Sequence, residues 1–488
     1  MNRQPGYILA IDQGTTGTTT ILYDDQARIV RRAYREFPQI YPKPGWVEHD
    51  PVEIWKTVVD TVEETVSGFD CKITAAGITN QRETTILWDK KTGRPVHNAI
   101  VWQCRRTADY CNKLREHEEL FKKRTGLPLD AYFSATKIKW ILNNVSGINL
   151  DSVLFGTVDS WIIWKLTGGR VHAIDYTNAS RTLLFNIIEK KWDVELCKIM
   201  GVPPHILPQT KKPADNYGKV TEIATIKEVP ILAVLGDQQA ALFGQACFEK
   251  GSIKNTYGTG CFVMMNTGSR PVFSRKGLIT TLAADSMGEP CYALEGSIFI
   301  AGAAIQWLRD ELKILDNASD SEAAADELED NGGVYLVPAF TGLGAPHWDM
   351  HARGIITGIT RGTNRNNIIR AALESMAYQT YDVISAMEAE MGGKIPVLAV
   401  DGGASVNNFL MQLQADILNK SVLRPAAVET TAQGAAYLAG LKAGVWKDTD
   451  EIKRLKKIDR EFKPCMSGEK RRELLDGWNK ALRQAVVK

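Results

Sequence analysis

Asp12 closes an apolar run, Ile8-Leu-Ala-Ile11, and Gly14, Thr15, Thr16 and Gly17 follow before a β-branched run starts at Thr18. A carboxylate at the end of a buried strand is placed to hold hydrated Mg²⁺. Glycines let backbone N–H groups point outward as an anion-binding nest, and threonine hydroxyls add donors. These residue types predict a phosphate cradle at the tip of a β-hairpin, with an ordinary Gly/Thr turn as the plainer alternative. The same order returns half a chain later at Thr256-Tyr-Gly-Thr-Gly-Cys-Phe262, and the repetition favours the cradle.

Two further places carry reactive side chains. Asn80-Gln-Arg-Glu83 is a polar cluster between short apolar stretches, predicted as strands over 73–79 and 84–88. Its charges are either a surface ion pair or a set of donors and acceptors for a ligand. Asp237 ends the buried run Ile231-Leu-Ala-Val-Leu-Gly236 and opens a helix expected over 239–246. A strand-end acid beside a helix N-terminus suits a site in an open α/β sheet, and it also suits a helix cap. His347 and His351 have metal-like spacing, but the Gly/Pro loop before them and the lack of a third ligand argue against zinc.

The elements that must position these groups are legible in outline. Asp50 caps a helix with Pro51 at its first position and Glu53 completing a box, and Trp55, Val58, Val62 and Val66 form its core stripe. The stretch 105–200 is mainly helical. A helix is expected over 297–312, where Gly302 and Gln306 lie one turn apart, and a long one over 366–391 ends at Gly392. A buried strand over 395–400 leads into Asp401-Gly-Gly-Ala404, alone a weak strand-to-helix turn, and the chain closes in charged helices from about 450. The 488 residues, 44% hydrophobic and 24% charged, suffice for two large lobes. A net charge of +2 gives no electrostatic case for nucleic acid or a membrane surface. The eight cysteines form no C-x-x-C pair and are expected as reduced thiols in a cytoplasmic protein, with no signal peptide or membrane span.

Longer stretches carry a family resemblance. Tyr41-Pro-Lys-Pro-Gly-Trp-Val-Glu-His-Asp-Pro51, Asn80-Gln-Arg-Glu-Thr-Thr85, Trp102-Gln-Cys-Arg-Arg106, Tyr132-Phe-Ser-Ala-Thr-Lys137, Gly236-Asp-Gln-Gln-Ala-Ala-Leu-Phe-Gly244, Tyr257-Gly-Thr-Gly-Cys-Phe262 and Asp401-Gly-Gly-Ala404 resemble the FGGY carbohydrate kinases. The resemblance implies an α/β fold of two ribonuclease-H-like (actin-like ATPase) lobes, each a mixed sheet flanked by helices, with a cleft between. The lobes would be 1–248, holding a polyol, and 249–488, holding nucleotide. It implies phosphorylation of glycerol to sn-glycerol 3-phosphate with ATP and Mg²⁺, by a homo-oligomer, a dimer or tetramer.

Roles follow at matching positions. Arg82, Glu83, Tyr132, Asp237 and Gln238 would hold the hydroxyls, and Trp102 and Phe262 would pack on the carbons. Gly14, Thr15, Thr16, Gly17, Thr19 and Thr259 would contact phosphates; Gly302, Gln306, Gly403 and Asn407 would surround the adenosine and its phosphate end. Asp237 would be the general base and Asp12 would orient Mg²⁺ through water. The chemistry agrees: a polyol offers only hydroxyls, so selection needs a guanidinium fork, carboxylates, an amide and aromatic faces. The departures are Thr19, where many relatives carry an arginine, and 220–229, which lacks the Gly/Arg loop and the histidine used for control in some bacterial members. The rivals are a kinase for a larger sugar, which would meet the Gln81-Arg-Glu83 cluster, and a non-metabolic actin-like ATPase, which needs no polyol pocket.

Overall fold

A computed structural model describes residues 6–486 apart from 71, 350 and 428, so Cys71 lies outside the described residues. Tyr7–Gln13 and Gly17–Tyr23 form the first hairpin, with Asp12 opposite Thr19. They lie in a five-stranded sheet ordered Ile231–Gly236, Ile73–Asn80, Tyr7–Gln13, Gly17–Tyr23, Ile29–Glu36, in which the first three run parallel and the last two antiparallel. Threonines in the second strand are buried because the helix Pro51–Val66 answers them: the Thr18–Thr57 and Thr20–Thr61 hydroxyl pairs are each 2.8 Å apart. Asp50 caps that helix through the Val52 N–H at 2.8 Å.

The second hairpin, Ile253–Tyr257 and Cys261–Gly268, begins a seven-stranded sheet. Its inner five strands repeat the first sheet's order, third, second, first, fourth, fifth, as Pro290–Ile298, Cys261–Gly268, Ile253–Tyr257, Val397–Asp401 and Ser421–Pro425. The helix expected from 297 starts later. Cys261 pairs with Ile298, so Ser297 and Ile298 remain in the strand, and the helix runs Gly302–Asp310. The charged C-terminal helices are likewise interrupted by a strand, Ile458–Phe462, on the outer edge of this sheet.

Two helices join the halves. Asp237–Gly244 leaves the first sheet, and Thr430–Ala443, although late in sequence, buries Ala432, Ala436 and Leu438 with Ile8, Ala10 and Ala233. Their crossing is close because both carry glycine there: a Cβ on Gly434 would lie 1.8 Å from the Ala240 carbonyl oxygen, and one on Gly244 would lie 2.0 Å from that of Thr430. Asp237 therefore sits on a helix held rigidly between the sheets.

Candidate active site

The first tip is shaped by its backbone. Gly14 N–H donates to the Gly17 carbonyl at 2.9 Å, and a Cβ on Gly17 would come within 2.6 Å of the Arg35 carbonyl oxygen. Gln13 and Gln81 amides both donate to the Gly14 carbonyl, at 2.8 and 3.1 Å. Thr15 Oγ1 accepts the Trp102 indole N–H at 3.0 Å, while Thr16 is exposed and Thr19 is buried in the strand.

The second tip is braced against the helix that follows. Ala301 and Ala303 N–H groups donate to the Thr259 carbonyl and Gly302 N–H to that of Gly258, at 2.9, 3.1 and 3.0 Å. A Cβ on Gly302 would stand 2.6 Å from the Gly258 carbonyl oxygen. Thr259 and Gln306 are exposed. Gly402, at φ +86°, lies against Tyr257, and nothing comes within 4 Å of a Cβ on Gly403 beside it. Asn407 caps the helix Asn408–Leu418 through the Leu410 N–H at 2.9 Å.

Between the tips lies a cavity of about 260 Å³ lined by Thr15, Thr16, Arg82, Glu83, Trp102, Tyr132, Asp237, Thr259 and Phe262, with Gln39, Tyr41, Gln103 and Gly260. Trp102 meets Tyr132 and Phe262 edge-on, with ring centroids 5.7 and 6.3 Å apart. Glu83 holds a left-handed backbone, φ +61°, a conformation that costs a non-glycine residue about 1–3 kcal/mol. Its carbonyl is tied down by Ser134 and Thr85 hydroxyls at 3.0 and 3.1 Å. Gln238 lies on the first turn of its helix with its amide oxygen taken by Lys254 Nζ at 2.5 Å.

The Arg82–Glu83 pair is buried, which removes the surface alternative. Arg82 Nε stands 3.1 Å from Asp237 Oδ1, while its two terminal nitrogens meet Glu295 at 2.5 and 3.0 Å. Arg181 binds Glu83 at 2.5 Å and Glu295 at 3.1 Å. Glu295 comes from the second sheet and the arginines from the first lobe, so this network spans the cleft floor. Glu295, Arg181 and Lys254 are not among the residues expected from the sequence; each is a single charge inside an otherwise uncharged run.

Electrostatics follow from burial. Burial raises the Asp237 carboxyl above its ordinary range, against the pull of Arg82 and Lys254. Burial, then Asp237 and Glu429, pushes Asp12 up to about 8. Burial lowers Lys254 to about 8. Burial also acts to raise Glu295, but Arg181 and Arg82 outweigh it and hold the carboxyl at about 2. Acids that repel one another at Asp12 fit a cation arriving with its own ligands. Among the described residues no cluster of three or more His, Cys, Asp or Glu side chains could cage a metal ion. His347 instead faces Asp382 at 3.5 Å. Seven described cysteines are free, six of them buried, and no helix among the described residues is long and apolar enough to cross a membrane.

Twin mixed sheets of one strand order, each presenting a glycine–threonine tip to a common cleft, define a two-lobed actin-like phosphotransferase fold. The N-terminal domain of the FGGY family of carbohydrate kinases matches residues 7–244, and its C-terminal domain matches 253–443. The chain belongs to the FGGY family of carbohydrate kinases. It is similar to glycerol kinase 2 of Thermotoga maritima, 56% identical over 98% of this chain and 99% of that protein. It is also similar to the glycerol kinase of Caldanaerobacter subterraneus subsp. tengcongensis, 55% identical over 98% of each chain. A crystal structure of Plasmodium falciparum glycerol kinase with ADP superposes with a TM-score of 0.92 at 37% identity, covering 99% of both chains.

Proposed function

We propose that this chain transfers the terminal phosphoryl group of ATP to glycerol, forming sn-glycerol 3-phosphate and ADP. The carrying observation is the Arg82 guanidinium, 3.1 Å from Asp237, in a small cavity walled by Trp102, Tyr132 and Phe262 and closed by both hairpin tips. With its terminal nitrogens anchored on Glu295, Arg82 offers its remaining N–H to one hydroxyl and Glu83 an acceptor to another, and the aromatic edges cover the carbons. Asp237 takes the proton of the terminal hydroxyl as its oxygen forms the new P–O bond and ADP leaves; its raised pKa makes it the stronger base.

Thr15, Thr16 and the first tip's amides hold the transferred phosphate from one side, Thr259 from the other, and the surfaces around Gly302, Gln306, Gly403 and Asn407 receive the rest of the nucleotide. Thr19 offers no charge and lies within the strand, so this chain relies on the tips themselves. Mg²⁺, held at Asp12, would neutralise phosphate charge. We assign the polyol to lobe 1–248 and the nucleotide to lobe 249–488, and place the enzyme in the cytoplasm, in keeping with its free thiols; light scattering tests the expected dimer or tetramer. The direct test is ADP release by the purified protein over a substrate panel. Turnover is expected with glycerol; turnover of a pentulose or hexonate with none of glycerol would overturn the assignment.

A further inference from the structure

A second cavity, of about 480 Å³, lies in the seam between the lobes. Its first-lobe wall includes Ala108, Leu129 and Ala131, and its second-lobe wall Leu278, Phe299 and Trp348. Small-molecule sites occur preferentially where domains meet, and here apolar side chains of both lobes form one part of the lining and charged ones the other. Arg105, Arg115 and Lys122 add three cations against the acids Glu118 and Asp130.

This cavity and the catalytic one share a partition. The stretches 102–105 and 130–132 turn Trp102 and Tyr132 toward the catalytic cavity and Arg105, Asp130 and Ala131 toward the other. One ion pair ties the stretches together, Arg105 Nη1 to Asp130 Oδ1 at 2.6 Å, and the same carboxylate oxygen accepts the Tyr132 N–H at 2.8 Å. Arg105 also stands 5.6 Å over the Phe299 ring of the second lobe. A negative group competing for Arg105 would loosen the segment that carries Tyr132.

We propose that this seam cavity binds an apolar monoanion, an aromatic or short aliphatic acid, and that its occupancy changes polyol binding through the shared partition. The body of the ligand packs against Phe299, Trp348 and Leu129, and its charge meets Arg105 and Lys122. The coupling, but not the binding, rests on the glycerol assignment above.

The test uses 8-anilinonaphthalene-1-sulfonate, an aromatic monoanion, titrated into the intact protein by fluorescence. Saturable binding is expected, unaffected by Mg-ADP, and weakened about tenfold or more by Lys122→Glu and by Ala108→Trp, which fills the cavity from a half-exposed helix position. Both variants should retain parental turnover without the probe. Displacement by Mg-ADP, parental affinity in both variants or no saturable binding overturns the site. With binding established, a KM for glycerol that shifts in the parent and not in Ala108→Trp supports the coupling, and an unchanged parental KM refutes it.

Discussion

Glu295→Gln keeps the shape of the side chain and removes the charge that two buried arginines share. Glu295 is fully buried and accepts two bonds from Arg82 and one from Arg181. Its carboxyl is held at about 2 against a usual 4.5, which favours the folded state by about 3 kcal/mol. Because the folded value lies below the unfolded one, that stabilisation is complete above about pH 4.5 and is lost as pH falls toward 2. The figure agrees with the ~3–5 kcal/mol for breaking a buried ion pair. Urea unfolding at pH 7 should show the variant about 3 kcal/mol less stable, with the gap narrowing in acid. Removing Arg181 as well should cost less than the two single losses added together. A loss at pH 7 under about 1 kcal/mol, the range of exposed pairs, would refute the idea that the lobes are tied through this carboxylate.

Lys254→Met should remove an alkaline limb near pH 8 from the rate profile, since loss of a proton there takes away the positive charge beside Asp237 and weakens the charge-assisted bond to Gln238; a limb persisting in the variant counts against this. Asp12→Asn should raise the Mg²⁺ concentration for half-maximal turnover roughly 10- to 100-fold, measured by metal titration at saturating ATP. Gly434→Ala should cost about 1–3 kcal/mol in thermal unfolding, because the added carbon meets backbone rather than a movable side chain.

The hairpins were legible because β-branched runs broken by Gly-Thr-Gly have few other solutions, and their recurrence marked the two lobes. Arg82, Glu83 and Asp237 were legible as charges at the ends of apolar strands. Glu295 was not: in Cys291-Tyr-Ala-Leu-Glu-Gly-Ser-Ile298 it is one acid in a central strand, and its partners come from residues 82 and 181. The helix Thr430–Ala443 was also missed. Buried nearly all round, its Ala/Gly-rich sequence has no apolar stripe to read, and only the register of its glycines with the Asp237 helix gives it a place. The start of the helix at Gly302 was misjudged because strand pairing of Ser297 and Ile298 with the second hairpin is a long-range effect.

The most direct measurement is the turnover number of Asp237→Asn with glycerol and Mg-ATP, beside its calorimetric affinity for glycerol. Proton removal by Asp237 predicts a fall of roughly 10²- to 10⁴-fold in kcat with glycerol still bound. A variant that turns over at the parental rate would contradict the assignment of that carboxylate as the base.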